Sequence, residues 1–337
     1  NLLPGPASTQ LAIFCAWRLR GRQGALVGGA AFIVPGLIVI LALSVLFLAS
    51  SPPLWVLGAG AGADAAVPAV AVNAGVALIS ASWRRRADTG RWLVYLIAGI
   101  AAAATLGVWL VLVLLGAGLI ELAIRTTGPG GAAPLRSLVA APALARALTP
   151  VAAAAVAGGG VLASVAWVAI KVGGLSYGGG FVIIPLMQAD AVGHYHWMSS
   201  AQFLDAVALG QITPGPVVQT VAVVGYAAAG LAGGLLAALV AFAPSFGFVL
   251  AGGPRFDRIR GDRRARAFLD GAGPAAIGAI LGSAVSLTRA LAHPWQYAVL
   301  AAAVITLLAL RRGVVLTLLA AATVGVVIAL AAGTISP

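Results

Sequence analysis

Residues 92–124 read WLVYLIAGIAAAATLGVWLVLVLLGAGLIELAI, and residues 25–50 read ALVGGAAFIVPGLIVILALSVLFLAS. Each run exceeds the roughly 20 apolar residues that carry a helix across a bilayer. Only 8% of the chain is charged against 61% hydrophobic, with a mean hydropathy of +1.06. Soluble domains carry about 25% charged residues, so an aqueous surface cannot be assembled for a globule of this size. The fold class expected is an all-α polytopic membrane protein. Low aromatic content and the absence of strand-like alternation argue against a barrel.

The net charge of +12 does not argue for nucleic acid. The arginines stand in short runs between apolar segments, which is the pattern that sets membrane orientation. One cysteine, Cys15, excludes an internal disulfide. His194, His196 and His293 offer no convincing metal set, and neither metal nor cofactor is expected. His194 and His196 fit a wet interfacial loop with Tyr195 and Trp197.

The chain carries an internal repeat. Pro4-Gly5-Pro6 recurs as Pro214-Gly215-Pro216, and with one residue of slack Gln10 meets Gln219, Gly21 meets Gly230, Gly24 meets Gly233 and Pro35 meets Pro244. Two homologous halves are expected, 1–124 and 156–337, with a Gly/Pro-rich linker over 125–155. The loop RLRGR (18–22) is basic where its counterpart AAAGLAGG (227–234) is neutral. One helix later, SSPPLW (50–55) is neutral where RFDRIRGDRRAR (255–266) is basic. Arginine-rich loops stay cytoplasmic, so the halves read as inverted-topology repeats. Loops 18–22, 83–91, 255–266 and 311–312 are expected in the cytoplasm, with the C-terminus outside. Spans are expected near 25–49, 56–82, 92–105, 107–124, 160–174, 234–252, 267–289, 295–310 and 314–333. The stretch 160–211, read as a helix, a Gly-rich break and an amphipathic helix, has no counterpart before Asn1. Such a segment is expected to precede Asn1 in the gene.

Chemistry is expected at the breaks. Proline lacks an N–H and suits the first helical turn, so each Pro-Gly-Pro reads as the start of a half-helix, near 7–18 and 217–228. Helix N-termini attract anions. The run AIKVGGLSYGGGFVIIPL (169–186) breaks a further apolar segment and reads as a half-helix or as close helix packing. Lys171, the only lysine, lies one turn before it; intramembrane charges are commonly functional, with interfacial snorkelling the alternative. Asp64 and Asp205 are candidates for proton coupling or for pairing with Lys171. Asp270 precedes another Gly/Pro break, and Glu121 reads as interfacial. Gln10, Gln211 and Gln219 can donate amide N–H groups without adding charge; Asn73 is a weaker candidate of that kind.

At these residues the sequence resembles the chromate ion transporter family. The resemblance is carried by LLPGPASTQLAIFCAWRLRG and GGAAFIVPG in the first half, and by KVGGLSYGGGFVIIPL and FLDAVALGQITPGPVVQTVAVVGY in the second. It implies a bacterial inner-membrane protein with two antiparallel halves that exports chromate and confers resistance, sulfate being the mimicked anion. The family's motif residues carry over onto 4–6, 10, 171, 176–180, 205, 211 and 214–219. The substrate-binding set expected is therefore Pro4, Gly5, Pro6, Gln10, Lys171, Ser176, Tyr177, Gly178, Gly179, Gly180, Gln211, Thr213, Pro214, Gly215, Pro216 and Gln219. Tyr177 stands where the family usually has Phe, and the family's Gly-Gly break before the first Pro-Gly-Pro is absent. Expected partners are a chromate- or sulfate-type oxyanion, the lipid bilayer and, as a candidate, a second copy in a homodimer. With no nucleotide-binding motif, drive must come from an ion gradient or the membrane potential. The alternatives are a carrier or channel for another small anion and a membrane-embedded enzyme; eight scattered acids suit the last poorly.

Overall fold

A computed structural model describes residues 7–105, 109–127, 160–176, 180–252 and 262–333. These residues form helices without strands: α1 (Ala7–Phe47), α2 (Leu54–Trp83), α3 (Thr89–Thr105), α4 (Leu110–Thr127), α5 (Val161–Leu175), α6 (Ile183–Gln188), α7 (Ser200–Ile212), α8 (Thr220–Gly252), α9 (Arg263–Arg289), α10 (Pro294–Val304) and α11 (Val314–Ala332). Short π-helical turns, Ala189–His194 and Ile305–Ala309, extend α6 and α10. Among them Ser8–Phe47, Leu54–Trp83, Val217–Leu250, Arg263–Arg289 and Val314–Ala332 are long and apolar enough to cross a bilayer. The polar and apolar faces are those of a lipid-embedded protein. On α11, Leu316, Val327 and Leu330 are more than half exposed, while its Thr317 is buried.

Neither α1 nor α8 is a straight rod. Gly21 (φ +58°, ψ −142°) and Gly230 (φ +62°, ψ −152°) reverse the chain, each preceded by a residue of nearly matching geometry, Arg20 (φ −139°) and Ala229 (φ −150°). A side chain rarely adopts this left-handed backbone, so both reversals fall on glycine. In a straight helix Ala16 and Gly28 would stand about 18 Å apart. Here the Ala16 side chain lies against Gly28, and its carbonyl against Gly24; Gly225 and Gly233 meet in the same way. Each helix is thus a hairpin whose tip is the loop read from the sequence at 18–22 or 227–234. The first leg of α8, Thr220 to Ala229, is about 15 Å long by helical rise, half the thickness of a bilayer core.

The remaining helices cross-pack. Helix α2 lies against α10 and α11, α9 lies against α3 and α4, and α2 meets α9; α1 packs on α8, and α5 covers α8. Small residues make these crossings. Gly62 sits on the Ala321 carbonyl, Gly99 on the Ala275 carbonyl, Gly278 on the Leu96 carbonyl and Gly173 on the Ala241 carbonyl. Between lipid-embedded helices no hydrophobic gain rewards association, so close backbone approach supplies the attraction. Gln296 adds a polar tie, with Nε2 donating to the Ala61 carbonyl at 2.8 Å while Oε1 accepts from the Ala292 and His293 N–H groups. Prolines Pro68 and Pro274 lie inside α2 and α9 without interrupting either.

Several expectations need correction. The Gly/Pro stretch after Asp270 is continuous helix, not a break. The helix before the second Pro-Gly-Pro, α7, is not amphipathic; Phe203, Leu204 and Ala206 to Gly210 are all buried. Its start is set by a capping box in which Ser199 Oγ accepts from the Gln202 N–H (3.1 Å) and Gln202 Oε1 from the Ser199 N–H (2.9 Å). Helix α4 runs past 124 to Thr127; the linker from 128 on, and 255–261, lie outside the described residues. Glycine contacts this tight yield a stability prediction. Gly325→Val places a side chain against the Gly58 carbonyl and Gly62 Cα, where backbone must move. It should destabilise the bundle by about 1–3 kcal/mol, read as a lower melting temperature in detergent, with Gly313→Ala (open space) as the control.

Candidate functional site

The second Pro-Gly-Pro joins two helices. Helix α7 ends at Thr213, whose hydroxyl donates back to the Leu209 carbonyl at 2.8 Å. Pro214 to Pro216 then turn the chain, with Gly215 at φ +132°. A short 3-10 segment, Val217–Gln219, leads directly into α8. Opening a helix in this way leaves its first N–H groups without intrahelical acceptors.

Three other elements converge on this start. A methyl group at Gly180 would lie 3.3 Å from Val217 Cβ and 3.8 Å from Ser176 Oγ, placing the Gly-rich break against the 3-10 segment. Gly210 near the end of α7 lies against Thr220. Gly36, just after Pro35 in α1, lies against the Pro214 carbonyl and the Gln219 amide. Gln219, 1% exposed, donates from Nε2 to the Ile33 carbonyl at 2.7 Å. It therefore serves first as a tie between the two hairpins.

Polar atoms without a hydrogen-bond partner gather here. Ser176 Oγ, Gln211 Nε2 and Gln219 Oε1 are buried and unanswered. So are Thr9 Oγ1 and Ser245 Oγ, which stand at the repeat positions matching Val218 and Gly36. Buried polar groups are normally satisfied, and a cluster of unsatisfied ones marks room for a polar ligand or water. Gln10 is buried beside Thr9 and Asn73 is half-buried on α2. Pro4, Gly5, Pro6, Tyr177, Gly178 and Gly179 lie outside the described residues.

Lys171 does not pair with Asp64 or Asp205. Its Nζ donates to Asp190 Oδ2 at 2.6 Å, and it lies 5.5 Å from the Trp167 ring centroid. Asp190 sits in the π-helical turn beyond the Gly-rich break, so the described segments on either side of the break bring the two charges together. The signal in the sequence was an acid inside apolar LMQADAV, across the break from the only lysine. His194, which ends the π-helical turn, and His196 are exposed, and the Tyr195 and Trp197 rings stack at 4.5 Å.

Asp64 and Asp205 lie instead near each other, close enough for the charge on Asp205 to bear on Asp64. Asp205 Oδ1 packs on Gly60, one turn before Asp64, and both Oδ1 atoms are buried without partners. Glu121 is 3% exposed, at the centre of a charge network. It accepts from Arg125 Nε at 2.8 Å and Tyr95 Oη at 3.2 Å, with Arg91 Nε at 3.5 Å. Arg125 also reaches Asp270 Oδ2 at 3.0 Å. Among the described residues no group of three or more metal-ligating side chains is present.

The fold and these broken helices define a multi-pass helical membrane protein with a polar site between helix ends. The profile of the chromate transporter family matches residues 1–122 and 163–326. The chromate transport protein of Cupriavidus metallidurans is 32% identical over 303 residues, 86% of this chain and 71% of that protein. That of Pseudomonas aeruginosa is 30% identical over 305 residues, 87% and 70%. A probable chromate transport protein of Synechococcus elongatus is 30% identical over 299 residues, 87% and 73%. No solved structure matches. The chain belongs to the chromate transporter family, and these relatives are named as transport proteins.

Removing one member of a buried ion pair strands the other. Lys171 is 22% exposed at its side chain, so Lys171→Met should cost about 2 kcal/mol, below the range for fully buried pairs. The double variant Lys171→Met/Asp190→Leu should recover most of it. Melting of the three proteins in detergent checks this, and equal loss in single and double variants would contradict the pairing.

Proposed function

We propose that this protein is a secondary transporter for a tetrahedral dianion, chromate or a sulfate-like oxyanion, in the bacterial inner membrane. The observation that carries the reading is the cluster of buried, unpartnered polar atoms where a helix begins after Pro214-Gly215-Pro216. A leg of about 15 Å from the hairpin tip puts that start near mid-bilayer depth, where broken backbone lines a cavity or is packed in protein. Opposed helix starts suit an anionic substrate.

In this reading the halves are inverted repeats. Support comes from the matched reversals at Gly21 and Gly230, from the crossed packing of α2 and α9, and from arginines at one hairpin tip but not at the other. Loops 18–22, 83–91, 255–266 and 311–312 then face the cytoplasm. Substrate binds between the helix starts at Pro4-Gly5-Pro6 and Pro214-Gly215-Pro216, with the Gly-rich run Ser176 to Gly180 closing one side. Ser176 and Gln211 donate directly, and Gln10 and Gln219 hold each start to its neighbour while offering a second amide N–H. Thr213, bonded to its own helix, shapes the turn. Lys171 reaches a dianion only when Asp190 releases it. Asp64 and Asp205 are the coupling groups, and drive comes from an ion gradient or the membrane potential. Alternating access moves one half against the other, and export of chromate is the direction that gives resistance.

Purified protein in liposomes should take up radiolabelled sulfate saturably and lose that uptake when chromate is added. No uptake of either anion under any imposed gradient would overturn the reading, and non-saturating flux would assign a channel. Gln211→Ala removes one donor to a charged ligand, worth about 1.5 kcal/mol, and should raise the half-saturating sulfate concentration about tenfold.

A further inference from the structure

We infer that Asp64 and Asp205 together form a single proton-binding site, one proton held between two carboxyls at the contact of α2 with α7. The inference rests on the transport reading above and names its coupling ion.

The contact is built for the pair. Gly60 has no side chain, and Asp205 Oδ1 occupies the space a Cβ there would fill. Asp64 lies one turn further along the same helix, 5% exposed. Both Oδ1 atoms are buried, and neither has a hydrogen-bond partner. No basic group answers them: among the described residues, the ion pairs join Arg91, Arg125 and Lys171 to Asp88, Glu121, Asp270 and Asp190. From the other elements packed on α2, Gln296 of α10 is bonded to the Ala61 carbonyl, and Thr317 of α11 to its own helix. Helix α9 brings Asp270, which Arg125 holds.

That last contact supplies the comparison. Asp64 and Pro68 in α2 repeat as Asp270 and Pro274 in α9, with the same spacing inside helices that cross-pack alike. At Asp270 a guanidinium neutralises the acid. At the matching place in α2 a second carboxyl stands instead. Two deprotonated acids there would bury two charges without a counter-ion; one shared proton removes the repulsion and gives each Oδ1 its missing hydrogen bond. The proton comes from water on whichever side the contact opens to, and returns to water on the other. No bond other than those to the proton forms or breaks.

The site is also mechanically linked to the substrate end. Gln211 lies six residues beyond Asp205 on α7, about 9 Å along the helix. Movement of the Pro-Gly-Pro turn therefore displaces Asp205 from Gly60 and Asp64.

The test uses proteoliposomes with an internal pH-sensitive dye, an imposed sulfate gradient, and parallel exchange of labelled sulfate for chromate at equal pH. Wild type should move protons with sulfate. Asp64→Asn and Asp205→Asn should each lose that proton flux at least tenfold while keeping the anion exchange, and the double variant should be no worse than either single one. Proton flux unaltered in the single variants, or losses that multiply in the double, would overturn the inference alone. Wild-type vesicles that move neither anion overturn it together with the transport reading. A second measurement needs no variant: in weakly buffered detergent, saturating sulfate should change the protons bound per wild-type chain, and a change of zero across pH 5 to 9 overturns the shared site.

Discussion

A helix that begins inside an apolar layer must have its first N–H groups answered by something other than water. That constraint organises the middle of this protein. The start at Val217 is surrounded by backbone from three other elements: Gly180 at the edge of the Gly-rich break, Gly210 near the end of α7 and Gly36 in the second leg of α1. Gln219 fixes the distance between the two hairpins by holding the Ile33 carbonyl. The glycines at 36, 180 and 210 are needed because any side chain there would fill the space these groups share. What is left over is a set of buried polar atoms, Ser176 Oγ, Gln211 Nε2 and Gln219 Oε1, without a hydrogen-bond partner in the protein.

The rest of the bundle holds this arrangement without consuming it. The long helices α2 and α9 each lean on the terminal helices of the other half of the chain, through carbonyl-to-glycine approaches. The charge network of Arg91, Glu121, Arg125 and Asp270 works differently. Its buried carboxylate is triply held, and it ties α3, α4 and α9 into one unit.

Much of this was legible in the sequence, for physical reasons. Length and hydropathy locate helices in lipid with few alternatives, so the expected spans at 56–82 and 314–333 agree with α2 and α11 to within two residues. The repeat also transmitted backbone conformation: a Gly matched with a Gly at 21 and 230 proved to be the same reversal in both hairpins. What stayed hidden was pairing. Nothing local to Lys171 says that its counter-charge lies across a Gly-rich break at Asp190, because that contact exists only once the segments on either side of the break meet. Nor does anything local to Glu121 announce that Arg91 and Tyr95 of α3 converge on it, because α3 meets α4 only in the folded chain. The Asp-x-x-x-Pro repeat at 64–68 and 270–274 was readable, and it gains meaning only when one acid is found beside an arginine and the other beside an acid.

The distribution of charge bears on what such a site can do. Arginine would bind a dianion strongly through its paired donors, and a carrier that binds too strongly does not release. Among the described residues the arginines stand at the tip of the α1 hairpin and near helix ends, while the groups around the helix start are amides, hydroxyls and backbone N–H. The cation on this level, Lys171, has Asp190 as its counter-charge, so it contributes little net field until the pair separates. In the transport reading proposed above, such a site gains its selectivity from geometry, since neutral donors fixed by packing fit a small tetrahedral anion. Its affinity then changes when the hairpins shift, because the donors belong to different elements. In the proposed cycle, substrate release follows a rearrangement of helices.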